Sequence, residues 1–120
     1  MPRILTFAAA TILASGAVAA PASKTGPDCS GTDRYPVMIT HTELVDEGIL
    51  PRDGVDWRHI INRMIASQQI SKHLWRQVFH VTYPLKSGRK VEAIVVNNAS
   101  YEECSEGGTQ IFVVSKSSEP

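Results

Sequence analysis

Two cysteines, Cys29 and Cys104, are the only ones in a chain of 120 residues. One intrachain pairing is open to them, and it ties the early part of the chain to its last third. Such a bond persists only in an oxidising compartment. The N-terminus reads as a route to one. Met1-Pro2-Arg3 is a short cationic start, residues 4–18 are almost wholly apolar or small, and Ala17-Val18-Ala19 is a small-x-small cleavage signature. Residues 1–20 are therefore expected to be a signal peptide, too short and Ala-rich to serve well as a membrane span. The mature protein is expected to be secreted, with a Cys29–Cys104 disulfide worth about 4 kcal/mol by the chain-entropy model. Neither cysteine has a Cys-x-x-Cys or nearby His partner, so no metal site is expected. Nothing in the sequence calls for a cofactor, a membrane partner or a stable oligomer.

Past the leader, residues 21–34 are rich in Pro, Ser, Gly, Thr and Asp. They predict a flexible N-terminal arm anchored by Cys29, ahead of a single domain over residues 35–120. Tyr35-Pro36-Val37-Met38-Ile39-Thr40 suggests an edge strand, because Pro36 cannot donate to a ladder. Residues 46–56 form a turn-rich connector. Asp56 is a good N-cap, and Trp57, Ile60, Ile61, Met64 and Ile65 follow at helical spacing, which predicts a helix ending near residues 68–71. The period then changes to two. Trp75, Phe79, Val81 and Tyr83 alternate with Arg76, Val78, His80 and Thr82, as in a half-buried strand. Residues 84–90 make a hairpin turn around Ser87-Gly88, and residues 91–96 return as a central strand that residues 97–100 break. Residues 111–114 supply the last strand. The expectation is an α+β domain: one main helix packed on a three- to four-stranded antiparallel sheet.

The composition, 42% hydrophobic and 20% charged, excludes a disordered chain. Twelve basic and twelve acidic residues give zero net charge, but the average conceals a pattern. Residues 21–56 and 92–120 each carry a net of −4. Residues 57–91 hold Arg58, Arg63, Lys72, Arg76, Lys86, Arg89 and Lys90, with His59, His73 and His80 and no acid. That basic middle is a candidate RNA- or phosphate-binding patch. Asn98-Ala99-Ser100 is a candidate glycosylation sequon. Trp57 and Trp75, on periodic segments, are expected in the core.

An exported chain of this size, with an early and a late cysteine and a helix ahead of a small antiparallel sheet, resembles the ribonuclease-like effectors of plant-pathogenic fungi. Their fold is in turn similar to that of the fungal guanyl-specific ribonucleases. Arg76-Gln77-Val78-Phe79 resembles the family's Arg-Val-Val-Phe strand start, and residues 91–100 resemble the strand that carries the catalytic His. Cys104 falls where the late cysteine closes that fold. The match covers about a third of the mature chain. The catalytic His would fall at Asn97, which cannot act as an acid or base. Tyr35-Pro36-Val37 lacks the His of the family's Tyr-Pro-His run, and Glu92 lies on the wrong strand for its catalytic Glu. Only Arg76 matches, as a phosphate contact. The resemblance therefore implies a ribonuclease-like scaffold without its catalytic set, binding a host protein or host RNA after secretion, with uptake into the host cell as a further step.

Two other functions fit the same residues. RNA cleavage needs a base, an acid and a cation, and His41, His80 and Arg76 are the candidates. An exported inhibitor or toxin-neutralising protein would share the size and the disulfide. No nucleophile elbow, HExxH or phosphate-binding Gly loop occurs in the sequence.

Overall fold

The computed structural model describes residues 26–116, so the expected signal peptide and the first part of the arm lie outside the described residues. The element order is helix α1 (Tyr35–Asp46), a 3-10 turn (Trp57–His59), then strands β1 (Ile61–Ser71), β2 (Leu74–Pro84), β3 (Lys90–Ala99) and β4 (Gln110–Lys116). The four strands form one antiparallel sheet in sequential order β1-β2-β3-β4. This is the expected α+β architecture with its one disulfide, Cys29–Cys104. The helix, however, is a different one.

The segment read as an edge strand is helix α1. Pro36 sits in the first turn, where its missing N–H has no partner to lose. Pro36, Val37, Thr40 and Leu44 then fall on one stripe and are buried. Gly48, with φ of 77°, closes the helix: its amide bonds the Val45 carbonyl while the Ile49 amide bonds that of Leu44. That pair of bonds needs a left-handed residue at Gly48, which glycine adopts without steric cost.

The segment read as a helix is the 3-10 turn followed by β1. Asp56 makes no capping bond; its carboxylate instead takes His59 Nδ1 at 2.9 Å, and Ile60 is already extended. In β1 the pairing with β2 shifts register between Met64 and Ala66, so Ile65 is an extra residue in a bulge. Ile61 and Ile65 are exposed, and Met64 is half-buried. None of the three belongs to a helical stripe.

The two central strands follow the period-2 reading. Trp75, Gln77, Phe79, Val81 and Tyr83 of β2 are buried, as are Val91, Ala93, Val95, Asn97 and Ala99 of β3. β3 continues through Ala99 instead of breaking at Asn97, because Asn97 and Asn98 pair with Gln77 and Arg76. The buried face of the sheet carries α1: the Tyr83 hydroxyl donates to the Val37 carbonyl at 2.7 Å. The described part of the N-terminal arm is packed, not loose. Gln77 Nε2 donates to the Pro27 carbonyl at 2.8 Å, and Asn62 Nδ2 donates to the carbonyls of Cys29 and Gly31. Cys29 itself is fully buried. The helix, the arm and the disulfide thus cover one sheet face and leave the other open.

Candidate nucleic-acid interface

Antiparallel register sets the open face in rows. Arg63, His80, Ile94 and Phe112 form one row across all four strands; Ile61, Thr82, Glu92 and Ser115 form the next. Arg76, paired with Asn98, lies toward the opposite end of β2 from Lys90. The centre of the face is half-buried, while Arg63, Arg76 and Phe112 are exposed. Arg76 and His80 are four residues apart, about 13 Å at the rise of a strand.

His80 and Glu92 occupy diagonal positions on neighbouring strands, and His80 Nε2 lies 2.8 Å from Glu92 Oε1. The His80 hydrogen bond holds the Glu92 carboxyl below its ordinary range, with help from Lys90 and the Ser115 hydroxyl and against partial desolvation. Lys90 Nζ stands 3.7 Å from Glu92 Oε2. Arg63 faces His80 directly across the β1–β2 pair. The arrangement can bind an anion through Arg63, Arg76 and Lys90. It also sets an imidazole and a carboxylate within proton-transfer distance of each other.

The basic middle of the sequence divides on folding. Arg63, Arg76 and Lys90 share the open face. Lys86 and Arg89 lie in the β2–β3 hairpin, Lys72 in the β1–β2 turn, and Arg58 in the 3-10 turn. Glu43 and Asp46 belong to α1 and Glu47 is its C-cap, all on the layer behind the sheet. Glu102, Glu103 and Glu106 lie in the β3–β4 loop. The acids of α1 therefore lie behind the sheet, while the β3–β4 loop packs at the Arg76 end, where the Glu106 amide donates to the Asn98 carbonyl at 3.0 Å. Glu92 is the one carboxylate carried by the strands on the open face among the described residues.

Two sequence expectations change. His41 and His80 cannot act together: His41 packs against Trp57 and Tyr83 on the helix side, with ring centroids 4.7 and 6.3 Å away, whereas His80 points to the open face. Desolvation lowers the pKa of His41. Trp57 is not a core residue; it is 41% exposed, while Trp75 is buried as expected. The Asn98 amide accepts from Arg76 Nε at 3.5 Å and lies against Gly108, where even a Cβ would come within 2.6 Å of Asn98 Nδ2.

Asn97, the position at which the resemblance puts a catalytic His, is fully buried on the helix side. It donates to the Cys104 carbonyl and accepts from Thr109 Oγ1 at 2.7 Å. Glu92 is the residue that sequence reasoning missed as a partner of His80. Counting residues through the hairpin, with Pro84 opposite Lys90, sets Glu92 one diagonal step from His80.

No group of three or more metal-ligating side chains occurs among the described residues, and no described helix is long and apolar enough to cross a membrane. No protein-family model, characterised protein or solved structure matches the chain.

Proposed function

We propose that this chain is an exported effector that acts by binding host RNA on a ribonuclease-like scaffold, and that the RNA lies on the open face of the sheet. One observation carries the reading: Arg63, His80 and Lys90 cluster near Glu92, and Arg76 extends the basic row toward the other end of β2, on a face that the helix and the arm leave uncovered. Cations that neutralise phosphates give most of the affinity for RNA, and an exposed aromatic such as Phe112 offers a base a surface to stack on. The export reading of residues 1–20 and the disulfide fit a secreted protein. The burial of Asn97 supports binding without the catalytic constellation that the resemblance would require.

A second reading, RNA cleavage, is favoured by the His80–Glu92 contact. Glu92 replaces His41 in it: Glu92 would accept the 2′-hydroxyl proton, His80 would donate to the leaving oxygen, and Arg63, opposite His80, would face the phosphorane, with Arg76 left to contact a neighbouring phosphate. Incubation with end-labelled single-stranded RNA separates the two readings. Retarded, intact RNA supports binding. Cleavage that His80→Ala and Glu92→Gln both abolish supports the enzyme. Absence of both retardation and cleavage removes both.

A further inference from the structure

The sheet has two edges, and they differ. β1, at one edge, is guarded: it carries Arg63, its pairing shifts register at Ile65 and again at Ile70, and Asn62 holds the arm at the carbonyls of Cys29 and Gly31. Charges and bulges on an edge strand keep a sheet from pairing with other chains. β4, at the other edge, pairs with β3 on one side; on its outer side it bonds no element among the described residues. From Gln110 to Ser115 it has no charge, no proline and no glycine. Ile111, Val113 and Val114 are β-branched and Phe112 is aromatic, a composition that adds strands readily. Phe112 and Val114 are 52% and 55% exposed. We propose that β4 pairs with β4 of a second copy of the chain, antiparallel, about a two-fold axis perpendicular to the sheet.

The strand suits its own copy better than a foreign segment. Its approaches carry opposite charge: Glu106 lies ahead of it in the β3–β4 loop, and Lys116 ends it. Antiparallel pairing brings the basic end of one strand to the acidic approach of the other, so the charges are complementary in an isologous contact. Residues directly opposite in such a pair share a face, so the axis passes through a residue. A bulge at Val114 bends the end of the strand and leaves Gln110–Val113 regular. With the axis at Phe112, the apolar residues match one another: Phe112 stands beside its own copy at about 5 Å, and Ile111 lies opposite Val113 of the second copy.

This register has a consequence for the open face. An axis perpendicular to the sheet keeps the two open faces on the same side. The row Arg63, His80, Ile94, Phe112 then continues into the second copy in reverse order, with both Phe112 rings at its centre. The two Arg63 residues stand at its ends, seven strand spacings or about 34 Å apart. Because β1 is guarded, the assembly closes at two chains.

Sedimentation equilibrium of the native protein over a wide concentration range, without RNA, tests the proposal. The mass is expected to rise from one chain to two and to stop there. Phe112→Lys sets two like charges opposite each other and is expected to weaken association at least about tenfold, with the circular dichroism unchanged because the side chain is exposed. Phe112→Glu is expected to do the same, and an equimolar mixture of the two variants is expected to regain the mass of two chains. If a variant misfolds, amide shifts of the native protein decide: those of Ile111, Phe112 and Val113 should move with concentration while those of β1 stay. A native protein that remains one chain at every concentration would overturn the second copy as the occupant. Association that survives both Phe112 variants, that grows past two chains, or that leaves the β4 amides unmoved would overturn β4 as its seat. No arm contains RNA, so each outcome is independent of RNA binding at the open face.

Discussion

His80 on β2 and Glu92 on β3 meet at 2.8 Å across the sheet, on the face opposite the helix. The contact fixes where the polar centre of the open face lies. It also replaces the His41–His80 pairing, which the fold sets on opposite sides of the sheet. The depressed Glu92 carboxyl contributes stability above its ordinary value of 4.5, and that contribution is lost as pH falls through the lower folded value. Glu92→Gln is therefore expected to cost about 1 kcal/mol at pH 7. Urea unfolding of both proteins checks this, and the difference between them should close as pH drops below 4.5.

The Cys29–Cys104 disulfide spans 75 residues and anchors the arm whose Pro27 carbonyl takes buried Gln77. Replacing both cysteines by serine is expected to cost about 4 kcal/mol by the chain-entropy model. Urea midpoints in oxidising and reducing buffer should show the same loss for the native protein and none for the variant.

Tyr83 joins the sheet to α1 through its bond to the Val37 carbonyl, and burial pushes its phenol above the ordinary range. Tyr83→Phe is expected to cost about 1–2 kcal/mol, because the buried carbonyl loses its donor. In an alkaline titration followed by phenolate absorbance, one of the three tyrosines should stay silent until the protein unfolds.

Asn97→His installs the residue type that the proposed ribonuclease resemblance would put at this position. Here it is expected to confer no cleavage, because position 97 faces the helix side and its amide holds the Cys104 carbonyl and Thr109. A loss of about 2 kcal/mol or more in urea unfolding should accompany it, since a buried network is broken.

The two central strands were legible because one face of each is buried, which imposes strict alternation from Trp75 to Tyr83 and from Val91 to Ala99. The order of helix and first strand was not legible, for two local reasons. Pro36 excludes the middle of a ladder but suits a first helical turn equally well, and residues 35–40 contain β-branched Val37, Ile39 and Thr40 that favour strands. In β1 the bulge at Ile65 breaks the alternation, so Ile60, Ile61, Met64 and Ile65 recur at the spacing of a helix face. Within the site, Arg63 and Arg76 were visible as charges, but their common face was not. It depends on registers that only the paired strands set.

The central claim is that RNA binds the open face through Arg63 and Arg76. Fluorescence anisotropy of labelled single-stranded RNA over a salt series measures it most directly, with the native protein beside an Arg63→Ala, Arg76→Ala double variant. The account predicts intact RNA bound at low salt, with affinity falling linearly in log salt. The double variant should bind at least about tenfold more weakly, with a slope shallower by about 1 to 2 as two phosphate contacts are lost. Equal affinity and equal slope for the two proteins would contradict it.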